Sequence, residues 1–479
     1  LNEIDMFSTS IKVKVQIDHH DLPLEMKAIV VTDGLLMSHL KYLIQNKNSG
    51  RRNGWITKSI QAIGLLIDYT VTNKANFRNP HDLFMSFSVR MHSGTISKDG
   101  SDPSMLRWEP RSTKSANELI RHVTNYSKWL FDETGDINLL LNPKREATES
   151  EKLVNLAAYN HKMNNSFLKH TYSDSQKDEA VNTVNAFKPI KELPTFEDPK
   201  KPFDENKIWD LIGTGFLKKG VSPNAPTEEK YNLANILITM LMHFGGLRAC
   251  EPFHLYKDDI IPNDGFEQIR VFHPTQGAAP DWYRKKTNQP NCNRSMFLLQ
   301  KFGLSDRWDD REGSAYHAGW KNPPVSQTGK YFPVFLFGER GVRELFYKLF
   351  QIYLFTQRVD PLPGREHPFL FTNGNGDPLS MGDFQEAHRN AVVKIGMSPY
   401  FEHGGTRHCH RYSYAHRIAD LKDKGLGIDE MIIKGAMHHK SIKSQEVYTD
   451  PHTEKIEKQL AKAEELIPTY VPTEILENL

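Results

Sequence analysis

Arginine, histidine and tyrosine are concentrated between residues 403 and 448, and the predicted fold depends on this part of the chain. It contains RHCHRYSYAHR at residues 407–417 and GAMHHKSIKSQEVYTDP at residues 435–451. His408 and Arg411 are three residues apart, so on a helix their side chains project from one face. A guanidinium offers a planar fork of donors, and an imidazole donates one N–H or transfers a proton, so the pair is suited to binding a phosphate. Either residue alone is weak evidence, because a lone His or Arg in a helix is more often structural or at the surface.

Two further spacings make the pattern more specific. His439 precedes Tyr448 by nine residues, and in the earlier segment GGLRACEPFHL, Glu251 follows Arg248 by three. In this order the segments resemble the three boxes of the tyrosine recombinase family, the phage-integrase type of site-specific DNA recombinase. The boxes of that family are Gly-Leu-Arg with a following acidic residue, His-x-x-Arg with a Ser/Thr-aromatic-Ala run, and His with a Ser-Ile stretch and Tyr-Thr. The resemblance runs from about residue 205 to 465.

The resemblance implies that the chain cuts and rejoins DNA through a covalent 3′-phosphotyrosyl intermediate, without metal or ATP. Attack on a phosphodiester builds negative charge on its non-bridging oxygens, and fixed cations stabilise that charge. A phenol with a pKa of about 10 is protonated at pH 7, so the nucleophile also needs a base. The implied roles are nucleophile for Tyr448, phosphate binding for Arg248 and Arg411, proton acceptance for His408, phosphate orientation for His439, and support of Arg248 or His408 for Glu251.

A catalytic lysine is also implied, at the turn of a β-hairpin between the first and second boxes. The β-rich stretches Ile269–Phe272 and Tyr331–Phe337 are predicted to pair as that hairpin, with an insertion at about residues 278–326. The segment SQTGKYFPV has Gln327 where related motifs often carry lysine. The candidates are Lys321 and Lys330, followed by Lys285 and Lys286, and the sequence does not choose between them.

Composition excludes several other classes of protein. A net charge of +2 and a pI near 8.2 exclude a wholesale polycation, so DNA contacts must come from local patches of Lys and Arg. With 38% hydrophobic and 25% charged residues, the chain is predicted to be globular. Three cysteines are too few for a disulfide framework and indicate a reducing compartment. Zinc-ligand spacings, EF-hand loops and P-loops are absent from the sequence, so no metal and no cofactor are expected.

Hydrophobic periodicity predicts a mostly α-helical protein with a small antiparallel sheet. Apolar residues at three- and four-residue steps predict helices through the first third, one of them starting at a capping box of Ser115 and Glu118. One further helix is predicted to start at Thr227, and another is predicted to follow a cap at Ser380. We divide the chain into four parts. Residues 1–140 form a helical, core-binding-like DNA-binding domain, and residues 141–204 form a partly helical connector. Residues 205–465 form the catalytic domain, and residues 466–479 the C-terminal tail.

The sequence predicts no membrane segment. The first residues lack an apolar core of signal-peptide length. The most apolar run, Leu233–Leu247, is shorter than the roughly 20 apolar residues that span a bilayer. We therefore expect a cytoplasmic, nucleoid-associated protein.

The expected partner is double-stranded DNA, held by phosphate contacts from both domains. The resemblance further implies a homotetramer on paired DNA sites, accessory DNA-bending or directionality factors, and a mobile genetic element as the source. Apolar residues after Tyr448 recur at helical spacing, and they either close the protein's own core or dock on a neighbouring protomer. The same Arg/His/Tyr chemistry leaves two alternatives: a type IB topoisomerase or hairpin-forming resolvase, and a catalytically degenerate DNA-binding protein.

Overall fold

The computed structural model describes most of the chain, namely residues 7–16, 24–164, 173–192, 201–263, 266–310, 314–423, 430–438, 460–465 and 469–478. Its contacts divide the chain into two units, Leu1–Thr195 and Phe196–Leu479. The α-helices outnumber the strands among the described elements, and the strands form small antiparallel sheets. The predicted mostly helical fold class with a small antiparallel sheet is confirmed.

The first unit combines two antiparallel sheets with helices. Its strands are β1 (Thr9–Val15), β2 (Leu24–Val31) and β3 (Gly34–Leu35), followed by α1 (Met37–Asn48), α2 (Asn53–Asn73), α3 (Pro80–Ser93) and α4 (Thr113–Thr134). After these, β4 (Lys144–Glu146) pairs with β5 (Thr183–Asn185), and α5 (Glu149–Asn164) and α6 (Asp174–Asn182) lie between them in the chain. Helices α1 to α4 bury one apolar face each, because their apolar residues recur at helical spacing.

The helix predicted after Ser115 is confirmed as α4, and its residues Leu119, Val123 and Tyr126 are buried. Its start was predicted wrongly. The helix begins at Thr113, and the side chain of Ser112 accepts the hydrogen bond from the backbone N–H of Ser115. Ser112 is the cap because it stands three residues before that N–H, the spacing at which a side-chain oxygen reaches it.

In the second unit β6 (Ile260–Asn263), β7 (Phe266–Phe272) and β8 (Tyr331–Val334) form an antiparallel sheet in that order. The described helices are α7 (Ile208–Asp210), α8 (Thr227–Lys230), α9 (Leu233–His243), α10 (Asp281–Thr287), α11 (Arg294–Phe302), α12 (Val342–Ile352), α13 (Met381–Lys394), α14 (Arg407–Asp423), α15 (Glu430–Ala436) and α16 (Thr473–Asn478). Turns of π-helix follow α7 and α12, at Leu211–Gly215 and Tyr353–Gln357.

Helix α9 is the centre of the second unit, and every one of its residues is buried. The single helix predicted from Thr227 is instead two helices, because Tyr231 and Asn232 are extended and the Asn232 side chain caps α9. The predicted cap at Ser380 is confirmed, since its side chain accepts from the backbone N–H of Asp383 at 2.9 Å.

The predicted β-hairpin is confirmed: β7 pairs with β8, with Phe272 opposite Tyr331. The chain between them carries α10 and α11, which pack with Tyr256 and Phe369 in one apolar cluster. The buried guanidinium of Arg294 also donates to the carboxylate of Asp259 and to the carbonyl oxygen of His254. The inserted segment is therefore a packed part of this unit.

The described residues that follow Tyr448 in the sequence pack on the second unit. Leu460 and Ala463 are buried against α14 and α15, and Val471 joins the central core. Backbone hydrogen bonds of 3.2 and 3.1 Å connect Arg340 to Thr469 and Val471. Two roles were predicted for the apolar residues after Tyr448, and the residues described here close the protein's own core. Among the residues that the structure describes, none of the helices is long and apolar enough to cross a membrane.

Candidate active site

The first box follows α9 through a glycine turn. Gly246 has a left-handed backbone (φ +66°), and a Cβ atom at this position would lie 2.4 Å from the ring of Tyr414 in α14. Only glycine therefore lets the start of the first box approach α14 this closely. At the same place the Arg411 guanidinium donates to the carbonyl oxygen of Gly246, which joins the second box to the first.

Glu251 holds Arg248 in the first box. Its carboxylate, which is fully buried, accepts from the backbone N–H of Arg248 at 2.7 Å and from the Arg248 guanidinium at 2.8 Å. This leaves the Arg248 side chain 19% exposed. Of the two partners predicted for Glu251, the structure assigns Arg248. The bond uses one of the five N–H donors of the guanidinium, so most of them remain for a ligand.

The second box begins α14, which places His408 and Arg411 one turn apart on the helix. Arg411 is 5% exposed and donates to the carbonyl oxygens of Gly246 and Met437. Burial lowers its pKa to about 10, so it keeps its charge at neutral pH. His408 is exposed at the surface. Its pKa is nevertheless lowered, first by partial loss of water around the ring and then by nearby positive charges, so the imidazole is mostly neutral at pH 7.

The cations that lower the pKa of His408 show which side chains meet here. They are Arg407, Arg411, Lys321 and Arg248. Burial raises the pKa of the Cys250 thiol to about 12, and the charges of Arg248 and Lys321 act on that thiol in the opposite direction. Charges from the first box, the second box and the inserted segment therefore act on the same two side chains.

Of the four candidate lysines, Lys321 is the one that the structure brings to His408. The neighbouring Gly319 accepts a 3.0 Å hydrogen bond from the His254 ring, and a Cβ atom on Gly319 would lie 4.0 Å from that of Cys250. Lys330 precedes β8 with φ +55°, and Lys285 and Lys286 lie in α10. The main charges that lower the pKa of His408 include that of Lys321 and none of these three.

A buried arginine fixes the segment that carries Lys321. The Arg307 side chain donates to the carbonyl oxygens of Tyr316, Phe253 and Leu379 at 2.7, 3.1 and 2.8 Å. Its own backbone oxygen accepts from Ala318 N–H at 2.9 Å. The inserted segment is thus attached to the turn that follows Glu251.

The third box lies mostly outside the described residues, which exclude His439 and Tyr448. The residues just before it are described. Met437 accepts the hydrogen bond from Arg411, and His438 has a left-handed backbone with φ +49°. The His438 ring lies 2.8 Å from the Pro333 carbonyl oxygen and 4.0 Å, between centroids, from Phe332. The chain therefore enters the third box beside Arg411 and β8.

Arg407 was not identified from the sequence. It stands four residues before Arg411 on the same face of α14, and its guanidinium donates to the Gln385 side chain at 2.8 Å. Among the charges acting on His408, that of Arg407 has the largest effect. The four-residue spacing from Arg411 was the sequence signal that would have found it. Within the described ranges there is no group of three or more His, Cys, Asp or Glu side chains that could hold a metal ion.

Comparisons with known proteins give similarities among solved structures. No family model and no curated protein matches the chain. It is similar to the XerH site-specific recombinase bound to a palindromic difH substrate, with 12% identity, 88% of this chain and 94% of that chain covered, and a TM-score of 0.35. The Tn1549 transposon integrase in complex with transposon right end DNA has 13% identity, 86% and 97% coverage, and a TM-score of 0.32. The integrase from mycobacterium phage Brujita has 10% identity, 92% and 96% coverage, and a TM-score of 0.28. The solved structures to which this chain is similar are thus recombinases and integrases.

Proposed function

We propose that the chain is a site-specific DNA recombinase of the tyrosine recombinase type, which cuts and rejoins DNA through a 3′-phosphotyrosyl intermediate. The proposal is carried by two observations: the charges of Arg248, Lys321 and Arg411, from three separate parts of the sequence, all act on His408, and Arg411 donates to the Gly246 carbonyl oxygen in the first box. A cluster of fixed cations around a neutral imidazole is suited to a phosphodiester, because negative charge develops there during attack.

The cleavage step assigns one task to each side chain. The Tyr448 hydroxyl oxygen attacks the phosphorus atom, and its proton passes to the neutral ring of His408. The bond from phosphorus to the 5′ oxygen breaks, and Lys321 protonates that oxygen. Arg248 and Arg411 stabilise the charge on the non-bridging oxygens; among the described residues, the bonds of Arg411 to carbonyl oxygens engage two of its five N–H donors. Attack by a 5′ hydroxyl on the phosphotyrosine reverses the step, so rejoining needs no ATP.

His439 is proposed to orient the phosphate, in accordance with the resemblance of the third box. The described residues support this position for the box, because Met437 and His438 contact Arg411 and β8 just before it. We further propose double-stranded DNA as the partner, a homotetramer on paired sites, accessory DNA-bending or directionality factors, a cytoplasmic, nucleoid-associated location, and a mobile genetic element as the source.

The first unit offers a surface for DNA phosphates. The pKa of His122 is lowered to about 4, mainly by burial; the charge of Glu118 opposes this shift, and the charges of Arg121, Lys58 and Arg51 add to it. Arg51 also lies over the Trp55 ring, 5.6 Å from its centroid. Lys58 also pairs with Glu118 at 3.8 Å, so these three cations and one carboxylate keep a net positive charge, which is the kind of local patch that a nearly neutral chain needs for phosphate contacts.

The test is covalent capture on nicked suicide duplexes taken from the DNA that flanks the gene. Wild-type protein should remain attached to the 3′ end after denaturation, and Tyr448→Phe should form no adduct while binding the same DNA. Tyr400→Phe is the matched control, since Tyr400 is 60% exposed and should not affect capture. An adduct formed by Tyr448→Phe, or none formed by the wild type, would overturn the proposal.

A second measurement separates recombination from simple relaxation. Two labelled duplexes with one site each should yield exchanged products with the wild-type protein. If supercoiled plasmid is relaxed but no strands are exchanged, the chain is a type IB topoisomerase instead. DNA binding without an adduct identifies the degenerate DNA-binding alternative.

A further inference from the structure

Three buried histidines form a hydrogen-bonded chain beneath the candidate active site. The Nδ1 atoms of His243 and His410 are 3.1 Å apart, and the Nε2 atoms of His410 and His388 are 2.8 Å apart. None of the three side chains is more than 2% exposed. They come from α9, α14 and α13, so the chain connects three helices of the second unit. His410 is the central member and uses both of its ring nitrogens.

An ion pair lies at one end of this histidine chain. Arg417 Nη2 is 2.8 Å from His243 Nε2 and 3.1 Å from both carboxylate oxygens of Glu205. The same Nε2 atom lies 3.2 Å from Glu205 Oε2. Because its shorter contact is to the guanidinium, which can only donate, we take Nε2 of His243 as the acceptor and its Nδ1 as the protonated nitrogen. His243 then donates to His410, and His410 donates from Nε2 to His388. In this tautomer the hydrogen bonds from Arg417 through His243 and His410 to His388 are made with neutral rings, and burial lowers the pKa of His243 to about 4 and that of His388 to about 3.

The position of His410 on α14 connects this row to the site. It lies between His408 and Arg411 in the sequence, and successive residues of an α-helix are rotated by about 100°. Hydrogen bonds weaken steeply away from their preferred angles, so the bonds from both ring nitrogens of His410 constrain the rotation of α14 about its axis. The Phe203 ring stacks on the His410 ring with centroids 4.3 Å apart, and Phe203 N–H donates to the Cys409 carbonyl oxygen at 3.1 Å.

We propose that His410, through its hydrogen bonds to His243 and His388, is a positioning residue that sets the rotation of α14 and thereby directs His408 and Arg411 towards the phosphate. This inference rests on the proposed function. His410 does not touch the substrate and acts only through its two neighbours on the helix. A misplacement of about 1 Å at a reacting group lowers a rate on the order of 100-fold, so a small rotation of α14 is sufficient to suppress cleavage.

The test is a double-mutant cycle on the rate of adduct formation at saturating protein, with DNA affinity and thermal melting measured separately. His410→Phe keeps a ring on Phe203 but removes both hydrogen bonds, and it should slow adduct formation on the order of 100-fold with unchanged DNA affinity. His388→Phe removes one bond and should slow it less. The double variant should be no slower than His410→Phe, because the shared bond is already lost.

Two controls separate positioning from general destabilisation. His416→Phe makes the same change at an exposed histidine of α14 and should leave the rate unchanged. Leu349→Ala opens the core of the same unit at a fully buried residue, and below its melting temperature it should cleave at the wild-type rate. If His410→Phe does not fold, His388→Phe decides the question against the same controls.

The outcomes are distinct. A wild-type rate in His410→Phe and His388→Phe, additive losses in the double variant, or an equal loss in Leu349→Ala overturns the positioning role and leaves the proposed function standing. If the wild-type protein forms no adduct, the proposed function itself fails.

Discussion

The Arg411 guanidinium donates a hydrogen bond to the carbonyl oxygen of Gly246, and this bond connects two boxes that are far apart in the sequence. The same glycine lies directly against the ring of Tyr414, one helical turn beyond Arg411. The approach of α14 to the first box therefore depends on the absence of a side chain at residue 246. This contact has consequences for stability that can be measured.

Gly246→Ala should destabilise the second unit by about 3 kcal/mol, because it adds left-handed strain and overlap with Tyr414. Gly303→Ala is the matched control. Gly303 has a similar φ of +64° but nothing within 4 Å of the added Cβ, so strain alone should cost about 1 kcal/mol. The measurement is the free energy of unfolding in urea. Equal losses in the two variants would show that the contact with Tyr414 does not limit the approach.

Lys321→Ala should slow cleavage of ordinary DNA by about 10²- to 10⁴-fold, the usual contribution of a general acid. A substrate with a sulfur atom at the 5′ bridging position has a better leaving group and should restore the rate. Lys330→Ala is the control for charge in the same part of the chain. If the sulfur-containing substrate restores cleavage by Lys330→Ala but not by Lys321→Ala, the general acid is Lys330 in the hairpin.

Acid should destabilise both units through their buried histidines. Burial lowers the folded-state pKa to about 3 for His39, His254 and His388, and to about 4 for His122 and His243. The unfolded state, with pKa values of about 6.5, takes up protons first as the pH falls. Stability is therefore complete above about pH 6.5 and decreases below it, by about 2 kcal/mol per histidine at pH 5.

The check on this acid effect is thermal melting of the full chain at pH 7.5 and pH 5.0. His388→Phe removes one of these groups, so the melting temperature of the second unit should differ less between the two pH values than in the wild type. The comparison uses the pH difference within each variant, which cancels the packing cost of the substitution. An unchanged difference would mean that His388 is protonated in the folded protein.

Deleting residues 453–479 should destabilise the second unit rather than only weaken assembly on DNA. The deletion removes Leu460, Val471 and Ile475, which pack on this unit, at a loss of about 5 kcal/mol of burial. Leu476→Ala is the control, because Leu476 is 45% exposed and should have little effect. The measurement is the free energy of unfolding in urea. If the truncated protein is as stable as the wild type, these residues do not close the core, and docking on a neighbouring protomer becomes the favoured role.

Local patterns accounted for much of this protein. The periodicity of α4, the Ser380 cap of α13 and the pairing of β7 with β8 followed from residues close together in the chain, and these elements have the predicted type. The spacings of the residues within each box could also be recognised in the sequence, because each spacing corresponds to one helix face or one turn. The sheet of β1, β2 and β3 was missed, although the alternation in IKVKVQ is a strand pattern.

Contacts between distant residues could not be obtained from the sequence. The proposal of Lys321 rather than Lys330 as the general acid depends on Arg307, whose guanidinium reaches the carbonyl oxygens of Phe253 and Leu379 across 54 and 72 residues. The bond between His243 and His410 spans 167 residues. Periodicity and caps arise from interactions within a few residues, and so they are visible in a single sequence. The direction of a buried side chain depends instead on which distant groups satisfy its hydrogen bonds, and that was decided only when α9, α13 and α14 packed together.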